Sequence, residues 1–556
     1  MEATLDPPNY ITATHGLKSW LLTRDHKRIA LLYLIGVTFF FALGAIFAGM
    51  VRLELLTPAG DVMEAETYNK VFTLHGVVMV FFFLIPAIPA VLGNFLVPIM
   101  IGAKDLAFPR INLLSWYLYM IGGLFTLAVI VLGGVDTGWT FYAPYSTAAS
   151  NTHVVLTGLG VFISGFSSIL TGLNFIVTIH TMRAPGMTWF RLPLFIWSHY
   201  ATALIQILGT PVVAITILLV AAERVLHLGI FDPRLGGDPV LFQHLFWFYS
   251  HPAVYVFILP GLGIISELLP VFVRKPLFGY KWVAMSSLGI ALVGFMVWAH
   301  HMFTSGMEEY LRVPFMYSTL LVAVPTGIKF FSWTATIWQG RMRFATPMLF
   351  TLGAIIVFLL GGLTGPPLGT VATDLHLHDT YFVVGHFHDT LFGGYMFPLF
   401  AAIYFWYPKI TGRRMNETLG KIHFYLMTPS FLVMTFGQMA VGLLGMRRRI
   451  ADYDPAQGFQ TTNFIVTIAA FLIALSILIF FINLFVSAKK GEVAKGNIWE
   501  SRSPEWSILP SPAPEHNYAQ PFNVVGDPYD YGLKGSKFVE TAPQQSADQE
   551  TRGTHG

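Results

Sequence analysis

The sequence predicts an all-α integral membrane protein, a bundle of about twelve transmembrane helices with both termini cytoplasmic, and three observations carry that prediction. The 556 residues are 54% hydrophobic and only 11% charged, with a mean hydropathy of +0.61. Around a dozen apolar runs, at roughly 20 residues each, are long enough to cross a hydrocarbon core of about 30 Å as a helix. Lys and Arg gather at alternate connections between these runs, as the positive-inside rule requires of cytoplasmic loops or of the equivalent face of an organelle.

The first run, Ile29 to Val51, follows Arg24, Lys27 and Arg28. A polar N-terminus of mixed charge and the length of this run argue for a retained anchor rather than a cleaved signal. Val71 to Ile101 returns the chain to Lys104 and Arg110, and Asn112 to Leu132 leads out to Gly133 to Thr152, a connection without Lys or Arg. His153 to His180 comes back to Arg183 and Arg191, and Leu192 to Ala222 pairs with Phe242 to Val271, which stops at Arg274 and Lys275. Tyr280 to Phe303 and Phe315 to Ile337 make the next excursion, closed by Arg341 and Arg343. Pro347 to Thr364 and Tyr381 to Tyr407 flank Gly365 to Thr380, again free of Lys and Arg, and reach Lys409, Arg413 and Arg414. Lys421 to Met446 and Thr462 to Ala488 complete the set. Arg447, Arg448 and Arg449 fall outside and need a separate reason. Beyond Ala488 the Pro-rich "ILPSPAPEHNYAQPFN" gives way to "PQQSADQETRGTHG", a tail expected to be irregular, surface-bound and frayed at its end. The chain thus divides into a cytoplasmic segment, 1–28, a helical domain, 29–488, and a polar cytoplasmic tail, 489–556.

A net charge of +3 is explained by topology and gives no reason to expect nucleic acid. The absence of cysteine excludes disulfides, iron-sulfur clusters, thiolate-bound copper and covalently attached c-type heme within this chain. His75, His251, His300, His301, His386 and His388 all lie in apolar runs. Ionisable groups in membrane helices are costly and mark function. A single such histidine is more often hydrogen-bonded to a neighbouring helix, but six, with pairs in "AHHM" and "GHFH", point to metal. Neutral imidazole suits copper and heme iron, whereas calcium or magnesium would want oxygen ligands. At about 100° per residue, His386 and His388 face nearly opposite sides of one helix, so that helix can serve two centres. His251 and Tyr255, four apart, share a face, and Pro252 bends their helix. His300 and His301 diverge by about 100°, so one metal can use both only if the turn is distorted.

The motifs "TLHGVVMVFF", "GNFLVPIMIGAKDLAFPRIN", "LNFIVTIHTMRAPGMTW", "WAHHMFTSGM", "VPTGIKFFSW", "LHDTYFVVGHFH" and "GMRRRIADY" together resemble subunit I of the A-type heme-copper oxygen reductases, from about Arg24 to Pro521. The resemblance implies a low-spin heme held by His75 and His388, with Arg52 near its formyl group if it is heme A. It implies a high-spin heme on His386 and a copper on His251, His300 and His301, with Tyr255 cross-linked to His251 and acting as a reactant. Arg448 and Arg449, beside Trp139, would pair with heme propionates, and Arg447, where the family commonly has Pro, receives no role. His378 and Asp379 match a magnesium site completed by another subunit, with Asp374 behind them. Lys329 and Thr326 match a K-type proton channel to Tyr255. Asp105, Asn94, Asn112, Ser167 and Ser168 match a D-type channel.

The D-type channel usually ends on a glutamate, and the position here is Ala253. "YSHPAVY" resembles a variant subgroup with Tyr-Ser before the ligand histidine. Tyr249 and Ser250, a turn from Ala253, would bridge the gap, the phenol relaying by hydrogen bond because its ordinary pKa is about 10. The implied reaction is oxygen reduction to water with electrons from cytochrome c, coupled to proton pumping, in a bacterial cytoplasmic membrane. Without cysteine the chain cannot hold the family's binuclear copper, so subunit II is implied, along with subunit III and a possible place in a larger respiratory assembly. A quinol oxidase is the first rival, but Leu43, Phe47, Thr67 and Lys70 stand where a quinol-oxidising relative has polar quinone-binding residues. Nitric oxide reductases lack the counterparts of Tyr255 and Lys329, and a transporter with intramembrane histidine relays would show no heme absorption.

Overall fold

The computed structural model describes residues 8–541. Helices long and apolar enough to span a membrane run over His26–Glu54 (α1), Ala65–Ile101 (α2), Pro109–Val131 (α3), Val154–Thr181 (α4), Leu194–Leu226 (α5), Pro239–Val273 (α6), Tyr280–Met302 (α7), Glu309–Ile337 (α8) and Thr346–Gly369 (α9). A tenth helical run (α10) joins Tyr381–Leu391, Phe392–Met396 and Phe397–Thr411 end to end, and Glu417–Leu443 (α11) and Gln460–Lys490 (α12) follow. Among the described residues eleven helices are thus long and apolar enough to cross a membrane, and the expected twelfth crossing coincides with α10, a continuous helical run that is not one of those eleven.

Local sequence explains where helices start and bend. Asp25 caps α1 by accepting from the Lys27 and Arg28 amides, and Asp238 caps α6 at Val240, each satisfying donors that a first turn leaves free. The middle of α2 winds as π-helix over Val78–Leu84 and Ala87–Gly93, around Pro86 and Pro89, and α10 does so over Phe392–Met396, at Gly393 and Gly394. Proline removes an amide donor, which favours such a change of winding. The central helix is α6, whose membrane window is wholly buried, whereas α8 is the most exposed span.

One end of the bundle collects the loops rich in Lys and Arg. Lys27, Arg191, Arg274, Lys409 and Arg413 all donate to the tail or to its start, at Glu515, Val524, Trp499, Leu509 and Gly491 respectively. The N-terminal segment meets the tail at the same end through the Asn9–Pro514 bridge. The charge alternation read from the sequence therefore corresponds to one physical face. The tail is irregular and bound at this end, and over its described part it is firmly docked: Trp506, Glu505, Asn517, Tyr529 and Tyr531 are buried, and Phe522–Val524 pairs antiparallel with Val539–Thr541. Its aromatic residues account for the packing, because each buries a large apolar area. The expected fraying at "PQQSADQETRGTHG" lies outside the described residues.

Candidate functional site

A cavity of about 1450 Å³ runs through the bundle, its lining predominantly apolar. His75, His251, His300, His301, His386 and His388 all border it. The two histidines of α10 thus serve one continuous space from nearly opposite sides of their helix.

His251, His300 and His301 converge so that one ligand nitrogen from each lies within 4.8 Å of the others. His300 Nε2 is 3.1 Å from His301 Nε2, and His251 Nδ1 is 3.4 Å from His301 Nε2. The distorted turn that the adjacent pair requires is present, because Trp298–Met302 winds as a 3-10 helix at the end of α7. Surrounding groups fix each ring. Thr319 Oγ1 lies 3.0 Å from His300 Nδ1, and the Trp247 ring stacks on His301 with centroids 3.7 Å apart. His251 offers Nδ1 to the cluster because its Nε2 is 3.0 Å from the Tyr255 hydroxyl. A nitrogen set of this kind, without carboxylate or sulfur, suits copper.

The remaining three histidines are held by their other ring nitrogen. His75 Nδ1 donates to Gly44 O at 2.8 Å and His388 Nδ1 to Val384 O at 2.8 Å, while Thr364 Oγ1 lies 2.9 Å from His386 Nδ1. Among the described residues no hydrogen bond engages Nε2 of these rings, which leaves an oriented imidazole able to bind a metal. These partners escaped sequence reasoning, since carbonyls and threonines carry no signal by themselves. Arg52 also fits a bulky polar-edged ligand. It donates through Nη2 to Asn463 and Thr467, while its buried Nε and Nη1 have no partner among the described residues. Trp139, Arg448 and Arg449 border the same cavity, and Trp139 packs against Gly76, where a Cβ would come within 2.8 Å of it. Two hemes and a copper therefore fit the donors and the space present.

At the outer end, His378 Nδ1 bonds Asp374 Oδ2 at 2.9 Å, and its Nε2 lies 4.0 Å from Asp379 Oδ2. Arg448 Nη1 approaches Asp379 Oδ1 at 3.7 Å. Burial works against a His378 imidazolium, but the bonded Asp374 and the neighbouring Asp379 outweigh it and raise the pKa. Burial together with the charge of Arg448 lowers Arg449 to about 10.

Lys329 is buried in α8, its Nζ donating to Val283 O at 3.0 Å and Ser287 Oγ at 2.8 Å, both on α7. Thr326, a turn away, borders the cavity with Tyr255. On the other side, Asp105 accepts from the Leu106 amide at 2.6 Å, and burial raises its carboxyl to about 7. Asn94 and Asn112 are buried with amide atoms unpartnered among the described residues. Above them Asn112 O accepts from Ser115 Oγ, and the Tyr33 hydroxyl is 2.9 Å from both Ser115 and Ser167. Ser167 and Ser168 then line a cavity of about 20 Å³ with Ser164, Thr171 and Gln206. That volume holds a water among polar partners. Tyr33 and Ser115 had no motif to draw attention to them in the sequence. Tyr249, Ser250 and Ala253 border the large cavity, and Ser250 Oγ has no partner among the described residues.

A family model described as "Cytochrome C and Quinol oxidase polypeptide I" matches residues 28–472. The chain is 45% identical over 535 residues to "Cytochrome c oxidase subunit 1" of Thermostichus vulcanus, covering 96% of each chain. It is 42% identical over 520 residues to the protein of the same name from Bacillus subtilis (strain 168), covering 93% of this chain and 83% of that one. A solved heme-copper terminal oxidase dimer shares the fold, with TM-score 0.72 at 20% identity over 94% of this chain and 95% of that one.

Proposed function

The chain belongs to the cytochrome c and quinol oxidase polypeptide I family and is the catalytic subunit of a respiratory terminal oxidase, an oxidoreductase, and from that premise we propose how its own residues divide the work. The observation that carries the reading is the convergence of His251, His300 and His301, with Tyr255 bonded to the first, in the cavity that His386 borders. His75 and His388 hold one heme, His386 the other, and the triad the copper. These groups would supply the redox chemistry, the first heme as an electron carrier and the second, with the copper, as the place where oxygen is reduced. Heme A is favoured by Arg52, which borders the cavity and whose buried Nε and Nη1 have no partner among the described residues, so that they could donate to a formyl group. Arg448 and Arg449 meet propionates beside Trp139. Residues 29–488 act as one catalytic domain, with 1–28 and 489–556 on the cytoplasmic side.

Tyr255 is the group that gives oxygen a proton and an electron at the site. It is positioned by His251, whose Nε2 lies 3.0 Å from its hydroxyl, and a covalent bond between the two rings, its two electrons and two protons taken up by oxygen, would lock the ring. Lys329 and Thr326 resupply it from α8. Asp105 takes up protons for the other route, which climbs through Asn94, Asn112, Tyr33, Ser167 and Ser168. From the small cavity, Tyr249 and Ser250 pass protons by hydrogen bond where Ala253 offers no carboxylate. The purified complex in liposomes tests this step, with reduced cytochrome c as donor and the membrane potential collapsed. The parent is expected to acidify the outside, and Tyr249→Phe to lose that acidification with oxygen consumption remaining. Unchanged acidification in Tyr249→Phe would remove Tyr249 from the route.

His378 and Asp379 hold magnesium, backed by Asp374. Growth on manganese is expected to give a bound Mn2+ signal in electron paramagnetic resonance that His378→Ala abolishes; a signal persisting in that variant would place the ion elsewhere. The electrons come from cytochrome c through subunit II, which supplies the thiolate copper this chain cannot. Subunit III and a larger respiratory assembly complete the arrangement, in a bacterial cytoplasmic membrane.

A further inference from the structure

Asn517 lies in the tail, far in sequence from every group assigned above, yet it is 1% exposed and sits at φ 55. Few side chains tolerate the left-handed region, and asparagine is among the few. Its carboxamide joins three segments. Oδ1 accepts from Lys27 Nζ at 2.8 Å, at the start of α1. Nδ2 donates to Ala103 O at 2.9 Å and Lys104 O at 3.1 Å, the two residues before Asp105. Nδ2 also lies 3.0 Å from His26 Nε2, and His26 Nδ1 donates to Asn94 O at 2.6 Å. The residues that follow grip the same turn. Tyr518 donates to Ile99 O at 2.7 Å, and Phe522 packs on Gly102, where a Cβ would come within 2.9 Å of its ring. At φ 81 Gly102 is the hinge of the turn that presents Asp105.

A surface tail needs none of this. Buried amides that satisfy several partners at once fix geometry more than they add stability. We propose that Asn517 is a positioning residue for the Asp105 proton inlet, so that the C-terminal segment sets the place of that carboxylate relative to Asn94 and α1. The inference rests on the reading of Asp105 as an inlet.

The test is a double-mutant cycle in the reconstituted complex, reading proton uptake and turnover, with heme absorption as the check on assembly. Asn517→Gly removes the carboxamide while keeping a residue at ease with positive φ. Uptake is expected to fall about tenfold in Asn517→Gly, since a misplacement of about 1 Å can cost up to about a hundredfold and this one, transmitted through a turn, is smaller. In an Asp105→Asn background the same substitution is expected to have no further effect, because the group it positions is already gone. Parent-level uptake in Asn517→Gly, with Asp105→Asn impaired, overturns the positioning role alone. A loss in Asn517→Gly that adds in full to that of Asp105→Asn also overturns it, showing general support of the fold. Parent-level uptake in Asp105→Asn overturns the inlet reading on which the inference stands. If Asn517→Gly fails to assemble, Asn517→Asp, which keeps Oδ1 for Lys27 but loses both donations to the turn, takes its place in the cycle with the same outcomes.

Discussion

Tyr255→Phe is expected to lower oxygen reduction by about a thousandfold while both hemes and the copper remain bound. Phenylalanine keeps the ring, its packing against Gly294 and its place on α6, and removes only the hydroxyl 3.0 Å from His251 Nε2. His251 keeps its own bond to the cluster through Nδ1, so the triad is not dismantled. Absorption and copper content should therefore match the parent, and the proteolytic peptide spanning both residues should lose the two-hydrogen deficit that a covalent bond leaves. Turnover within about twofold of the parent would reduce Tyr255 to a packing residue.

Lys329→Met is expected to slow turnover by about a hundredfold, the scale of losing a positioned proton carrier. Lys329 is anchored to α7 by Val283 O and Ser287 Oγ and has no carboxylate partner within salt-bridge distance among the described residues. An isolated ammonium is expensive to bury, and methionine fills a similar volume without that cost, so the substitution should not unfold the protein. Steady-state oxygen consumption and melting temperature together check this. Slow turnover with an unchanged or higher melting temperature supports a proton route, and full turnover would make the lysine dispensable.

What could be read in advance follows physical lines. The crossings were visible because hydrocarbon tolerates few charges, and the charged loops fell on one face because membrane insertion sorts them. The two faces of His386 and His388 followed from helical pitch, and the awkward pair His300 and His301 announced its distorted turn. The carbonyls and threonines that aim the rings were not visible, since Gly44, Val384, Thr319 and Thr364 differ in no way from their neighbours until the chain folds. The π-helical turns of α2 and α10 were missed for a different reason: glycine and proline mark where winding can change but not in which direction. How deeply the tail docks was not legible because composition rewards hydrophobic content averaged over a window, and a few aromatic anchors such as Trp506 and Tyr529 suffice to dock an otherwise polar segment.

On the proposed reading, His386 and His388 of α10 have a bearing on how such an enzyme can be regulated. Only Phe387 separates them, so the spacing of the two iron sites along this helix is a covalent dimension, about 3 Å of axial rise. Tunnelling rates fall steeply with distance, and hinge or shear motions elsewhere in the bundle cannot stretch a single turn of helix. Electron exchange between the sites is thereby insulated from conformational change. The proposed proton routes would have no such protection: they depend on hydrogen bonds between separate helices and, where Asn517 holds the turn before Asp105, on the tail. A signal that slows the enzyme without dismantling it would find its leverage there.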